Sequence, residues 1–193
     1  MTKWLSHRMV ERGIIKEEEQ ELYQFGIRNG MILLLNVVTA LVIGLLTEQL
    51  AVVAVFTLSF MVLRSYTGGY HSDSRIFCYL GSNLVLLVPV YTQAVFYKTS
   101  LARLLAVLLV SAGIIFLLSP MHSKNRKLDK EEQKHFGRKA RLIAVLDFSV
   151  LGILWHAGQI PYAYAVYTGI CITALFMIVG KAQLWIQSHT ENG

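Results

Sequence analysis

Apolar residues in this chain come in blocks, and most of the charges are swept into the gaps between them. The blocks run over residues 30–46, 49–63, 80–97, 101–118, 142–156 and 161–180. A helix needs about 20 residues to cross a ~30 Å hydrocarbon core, with about 17 as a working minimum. The last block is long enough, the third and fourth just suffice, and 49–63 and 142–156 are short unless flanking residues join them. The pattern predicts an all-α, polytopic integral membrane protein of about six transmembrane helices, with four plus a re-entrant pair as the alternative. Ahead of the first block, Trp4, Leu5 and Met9 fall on one helical side and Ile15, Leu22 and Gly26 on another, with Glu17, Glu18, Glu19 and Glu21 outside. That predicts one or two amphipathic helices lying in the headgroup plane. Without an internal repeat or a low-complexity linker, residues 1–193 read as one membrane domain. It comprises an amphipathic segment 1–29, a bundle 30–180 and, within the bundle, a basic loop 119–141.

Composition agrees with the blocks. The chain is 54% hydrophobic and only 16% charged, against about 25% charged in soluble domains, and its mean hydropathy is +0.50. Charge adds orientation. With both termini inside, sixteen Lys and Arg fall in inner segments and two, Lys98 and Arg103, in outer ones. The positive-inside rule then puts both termini and residues 64–79 on the cytoplasmic side. The net charge of +6 suits an anionic bilayer surface, and Glu131 and Glu132 interrupt the basic run, so no nucleic-acid partner is expected. The first thirty residues show neither a signal-peptide apolar core nor a small-residue cleavage site, so residue 30 onward is expected to insert as a mature span.

Two cysteines remain to be explained. Cys171 lies in an apolar block and Cys78 in a polar island, RSYTGGYHSDSRIFC, at 64–78. A disulfide between them is not expected, and a thiol near a histidine reads better as chemistry. A nucleophilic cysteine needs its thiolate, and an adjacent imidazole lowers the thiol pKa and then protonates the leaving group. His71 precedes Cys78 by seven residues; on a straight helix their Cα atoms would stand about 10.5 Å apart, too far for comfortable contact. Gly68-Gly69 and Ser72-Asp73-Ser74 are turn and cap formers. They predict a loop bearing His71 and a helix beginning near Ser74, with Cys78 in its first turns, where the dipole favours a thiolate, and Arg75 adding positive charge. The competing readings are a buried hydrophobic cysteine and an interfacial histidine. A metal pair falls short of a structural zinc site unless His7 or His122 joins it.

The island also carries a resemblance. Arg64-Ser-Tyr-Thr-Gly-Gly-Tyr-His71, then Cys78-Tyr-Leu-Gly-Ser82, resembles the accessory gene regulator B family of bacterial membrane peptidases. Ser119-Pro120 closing the fourth block, followed by Asn125-Arg-Lys-Leu and a basic loop, is a second match. The resemblance implies a cysteine endopeptidase with His71 and Cys78 as catalytic dyad. Its substrate would be an amphipathic propeptide, cut at the cytoplasmic face through an acyl-enzyme thioester. A cysteine or serine within the peptide would then attack, releasing a thiolactone or lactone for quorum sensing. Backbone N–H groups at Gly68 and Gly69 are expected to approach the oxyanion, with Arg64 the nearest fixed cation; an arginine snorkelling at the membrane edge is the competing reading. Ser82 matches a family serine and would contact substrate or pack against a neighbouring helix. No metal or organic cofactor is expected, the location is the bacterial cytoplasmic membrane, and a homodimer is expected of so small a multi-span protein.

Other polar residues complete the picture. Asp73 would cap the following helix or orient His71. Asp147, inside an apolar block, would pair with Arg141 or another helix, or help orient the imidazole of His71. Asn36, Asn83, Gln93 and His156 are expected as interhelical hydrogen-bonders. Residues 124–141 hold eight basic and three acidic residues, a lipid-facing loop by default and a docking surface for an acidic propeptide tail in the second reading. The rival function is a small transporter or channel with His71 and Asp147 lining a polar path, and a third is a scaffold whose island binds a partner.

Overall fold

The computed structural model describes residues 2–68, 75–121 and 130–190. These residues are helical almost throughout: α1 (Thr2–Glu11), a 3₁₀ turn (Glu17–Glu19), α2 (Gln20–Leu46), α3 (Leu50–Thr67), α4 (Arg75–Tyr91), α5 (Gln93–Lys98), α6 (Leu101–Leu118), α7 (Lys130–His156) and α8 (Ile160–Thr190). The chain divides into two compact units, Met1–Thr39 and Ala40–Gly193, with the boundary inside α2 rather than at residue 30.

In the first unit only α1 is a separate amphipathic helix. Arg8 stacks its guanidinium 4.7 Å from the Trp4 ring, and His7 reaches Glu11 at 3.5 Å. Leu22 and Gly26, expected on a second surface helix, belong instead to α2, which runs without a break into the apolar block. Asn36, expected as an interhelical hydrogen-bonder, places its Oδ1 in a buried position without a partner among the described residues.

Among the described residues four helices are long and apolar enough to cross a membrane: Glu17–Leu46, Leu50–Thr67, Leu101–Leu118 and Ile160–Ile186. Block 80–97 is not one helix. Pro89 lies inside α4, removing a backbone donor and crowding the carbonyl four residues back. The helix ends two residues later at Tyr91, and the chain restarts as α5 after Thr92. Block 142–156 is the second half of α7, whose first half is charged. Large apolar side chains such as Leu46, Leu84, Leu109, Leu117 and Ile153 face outward, the arrangement a lipid-facing surface requires.

The second unit is organised around α8, which is apolar on nearly all sides, as a helix buried among several neighbours must be. Along one side Ala163, Val166, Ile170, Ala174 and Met177 meet Leu63 of α3, Ile115 of α6, and Ala144 and Leu151 of α7. Toward another side Ala165 joins Val52, Val53 and Phe56 of α3, Leu86 and Val90 of α4, and Ala40. Lipid is as apolar as leucine, so such packing depends on close fit. Gly169 supplies it: a Cβ there would stand 3.0 Å from the Ser59 hydroxyl.

Helix direction alternates, which sorts the connections to two ends. At one end Phe96 of α5 meets Trp155, Tyr164 and Tyr167 at ring distances of 6.0, 4.8 and 5.3 Å, and Tyr164 hydrogen-bonds Thr92. At the other end the C-termini of α3 and α6 and the N-terminus of α7 converge. Met121 N–H donates to the Thr67 carbonyl at 2.9 Å, and Tyr66 meets Phe136 at 6.4 Å. Since α4 ends beside Tyr164, it begins at this second end, where α3 closes at residues 64–68.

Candidate functional site

α3 stops at a fixed point. Its last residue, Thr67, is fully buried, and the Gly68 N–H donates back to the Arg64 carbonyl at 3.2 Å. Gly68 takes φ 74 and ψ −152, a combination essentially reserved for glycine, and the chain turns sharply off the helix axis. A Cβ on Gly68 would lie 2.8 Å from the Met121 carbonyl oxygen. Residues 119–121, which follow α6, are thus pressed against the end of α3; the Ser119–Pro120 peptide among them is cis. Gly137 of α7 closes the far side, where a Cβ would meet Pro120 Cδ at 3.1 Å.

Arg64 is half-buried on the last turn of α3. Its Nη1 donates to the Gly68 carbonyl at 3.2 Å, and its guanidinium carbon sits 4.7 Å from the centre of the Phe176 ring on α8. The cation is therefore turned back onto the C-terminal carbonyls of its own helix, where the macrodipole is negative. The Gly68 N–H is already engaged, so of the two glycines expected to face an oxyanion, this one has no free donor.

Gly69, His71 and Asp73 lie outside the described residues. α4 begins at Arg75, next to the expected start, and Cys78 is the fourth residue of that helix. The first four N–H groups of an α-helix have no intrahelical acceptor, and the dipole there favours an anion. Ser82 follows one turn later; positions four apart share a helix face, and Ser82 is half-buried.

Positive charge gathers at this end. Lys139 stands with Nζ 5.8 Å from the Tyr66 ring, and Lys134, Arg138 and Arg141 are exposed along the first half of α7. Among the described residues no three His, Cys, Asp or Glu side chains are grouped closely enough to hold a metal ion.

The remaining polar residues fall elsewhere. Asp147 of α7 accepts a hydrogen bond from Ser59 Oγ of α3 at 2.9 Å, at the point where Gly169 lets α8 approach. That is a tie between helices, with the partner on α3 rather than Arg141. Asn83 Oδ1, expected to bridge helices, has no partner among the described residues. Gln93 lines a cavity of about 280 Å³ with Glu48, Gln49 and Tyr162, and His156 is exposed. A second cavity, about 240 Å³ and apolar, lies among Phe96, Leu104, Phe148, Trp155 and Tyr167. Both open at the end opposite the island. Cys171 is a free thiol within α8.

Three contributors to this end went unread in the sequence: Met121, Gly137 and Phe176. A glycine inside the charged start of α7 was a visible signal for Gly137; nothing local marked the other two.

With this geometry in view, comparison with known proteins is informative. The model of the family described as AgrB, accessory gene regulator B, matches residues 1–179. An AgrB-like protein of Clostridium perfringens (strain SM101 / Type A) is 22% identical over 160 residues, covering 80% of this chain and 75% of that protein. AgrB-like protein 2 of Clostridium perfringens (strain 13 / Type A) is 25% identical over 134 residues, 65% of this chain and 61% of that protein. Accessory gene regulator protein B of Staphylococcus intermedius is 26% identical over 156 residues, 79% of this chain and 80% of that protein. No solved structure matches the chain. The match to nearly the whole length, with the Gly68 turn and the start of α4 standing at one end of a helical membrane bundle, places this chain in the accessory gene regulator B family.

Proposed function

We propose that this protein is a membrane cysteine endopeptidase that matures a quorum-sensing propeptide, with Cys78 as nucleophile and His71 as general base and acid. The observation that carries the reading is the way the chain is cut between α3 and α4: a glycine-only turn at Gly68, then a helix whose first turn holds Cys78. A thiol in that position gains from the helix dipole, and the dyad chemistry asks for an imidazole beside it, the role given to His71.

The chemistry runs in two transfers. His71 takes the Cys78 proton, and the thiolate attacks the scissile carbonyl of the propeptide. The C–N bond breaks, the imidazolium protonates the departing amine, and the N-terminal part stays as a thioester on Cys78. A thiol or hydroxyl inside the peptide then attacks that carbonyl, its proton passing to His71. The C–S bond to Cys78 breaks, the cyclic thiolactone or lactone leaves, and the thiol is restored. Thiol–thioester exchange is close to neutral in energy, so the second step needs water kept out more than it needs driving force. With the Gly68 N–H engaged by the Arg64 carbonyl, the oxyanion role is assigned to the first-turn N–H groups of α4 and, from the sequence, to the Gly69 N–H.

About six spans, both termini and the site on the cytoplasmic side, and a homodimer belong to the same reading. The exposed Lys134, Arg138 and Arg141 on α7 supply a positive lip for an acidic segment of the propeptide. The test is co-expression with a small amphipathic precursor bearing an internal Cys or Ser, encoded by a neighbouring gene. Mass spectrometry should find it cut by wild type and intact with His71→Ala or Cys78→Ala; cleavage by Cys78→Ala would end this mechanism.

A further inference from the structure

The turn at Gly68 is held from two sides by parts of the chain remote in sequence. From one side α8 acts through Phe176: its ring carries the Arg64 guanidinium at 4.7 Å, and Arg64 Nη1 holds the Gly68 carbonyl at 3.2 Å. From the other side Met121 clasps Thr67 at 2.9 Å, backed by Pro120 on Gly137. The second support runs through a backbone hydrogen bond and the Pro120 ring, so it does not depend on the charge distribution of an aromatic face. The first does. Phe176 is half-buried, and its other ring neighbour, Phe60, lies tilted at 6.1 Å, a contact that any bulky apolar side chain replaces. Holding a guanidinium over a ring face is different, because it depends on the negative face of the aromatic quadrupole.

We propose that Phe176 is a positioning residue for the reaction at Cys78: its ring keeps Arg64 on the Gly68 carbonyl and so fixes the backbone at the end of α3. The proposal rests on the peptidase reading above, and it makes Arg64 the transmitting group rather than a partner of the oxyanion. Other charged or titratable residues on the packed helices toward this end are Glu131, Lys134, His135, Arg138, Lys139 and Arg141 on α7 and Lys181 on α8.

Fluorination separates the two roles, because it drains the ring face of negative charge while adding almost no bulk. Phenylalanine bearing one, two or three fluorines is placed at position 176, and iodoacetamide is the probe. The alkylation rate of Cys78 in isolated membranes is followed against pH by peptide mass spectrometry, with Cys171 as internal reference. Wild type should alkylate Cys78 at lower pH than His71→Ala does. Stepwise fluorination should move the wild-type profile toward that of His71→Ala, slowing Cys78 by roughly three- to tenfold near neutral pH at the trifluoro stage. Cys171 should be unmoved, and Phe176→Tyr should keep the wild-type profile.

A fluorinated series that keeps the wild-type profile, while His71→Ala departs from it, overturns the role of Phe176 and leaves the peptidase reading standing. A slowing shared by Cys171 also overturns it, since that marks general loosening. If His71→Ala itself leaves the Cys78 profile unchanged, no thiol–imidazole pair exists, and the peptidase reading falls together with this one.

Discussion

Replacing Gly68 by alanine should disable the site while leaving the bundle intact. The native turn at φ 74, ψ −152 is a region in which a residue with a Cβ loses about 1–3 kcal/mol. The added carbon would also stand 2.8 Å from the Met121 carbonyl oxygen, which is backbone and cannot swing aside alone. Moving it means releasing the Met121–Thr67 hydrogen bond, worth about 1 kcal/mol net. Together the substitution costs about 2–4 kcal/mol, or a factor of roughly 30–1000 toward an opened clasp. The strain is local, so it should be relieved at the end of α3 and not by global unfolding. Two measurements check it: the rate of propeptide cleavage, expected to fall by at least tenfold, and hydrogen exchange at the Met121 amide, expected to accelerate by a similar factor. Gly113→Ala on α6 is the control, since nothing lies within 4 Å of its added Cβ and an alanine inside a helix gains about 0.5–1 kcal/mol. Wild-type cleavage and unchanged Met121 protection in Gly68→Ala would refute the claim that this turn fixes the site.

The other expectations concern separate parts of the molecule. Glu48 closes the end of α2 at φ 57, with the Gln49 N–H returning to Gly44 and the Glu48 N–H to Leu45, so Glu48→Gly should raise thermal stability by about 1 kcal/mol and leave cleavage unchanged. Ser59→Ala removes the donor to Asp147 and should cost about 1–3 kcal/mol in detergent unfolding. Gly169→Ala, whose Cβ would crowd the same hydroxyl at 3.0 Å, should be at least as damaging, and a neutral result in both would show that the tie between α3 and α7 carries no stability. Cys78→Ser should abolish processing, because a hydroxyl beside one imidazole is hardly ionised. A transporter would keep its flux with serine there, so retained function would favour that rival.

What the sequence made legible follows from the range over which each signal acts. Block 101–118 coincides with α6 because serines flank it at both ends and nothing inside opposes a helix. Block 80–97 read as one span although Pro89 stood in it; the hydrophobic average outweighed a single residue whose missing donor decides where the helix ends. α7 was read too short for the opposite reason. Its first half is Lys, Glu, Gln and Arg, which are good helix formers whether or not they are apolar. The start of α4 and the turn at Gly68 were visible, since turn and cap chemistry is local. Phe176 and Met121 were not, because a ring on α8 and an amide after α6 reach the end of α3 only once the bundle has formed.

That difference bears on why the site stands where it does. Inside a bilayer, irregular backbone survives only where its polar groups are satisfied. At the end of α3 the satisfaction is supplied by three donors: the Gly68 N–H on Arg64, the Met121 N–H on Thr67, and the Arg64 guanidinium on Gly68. Each serves a carbonyl, because carbonyls are what a helix leaves exposed at its C-terminus. The next helix leaves the opposite kind of group exposed, the N–H donors of its first turn, which runs from Arg75 to Cys78. A break between two helices therefore yields one end that has to be tied down and one end free to meet an anion. The sequence puts Arg64 in the first and Cys78 in the second. A transition state that gathers negative charge on a carbonyl oxygen is best served by that order, and reversing it, with the thiol on the last turn of α3 and the arginine on α4, would set the thiolate against the negative end of a helix.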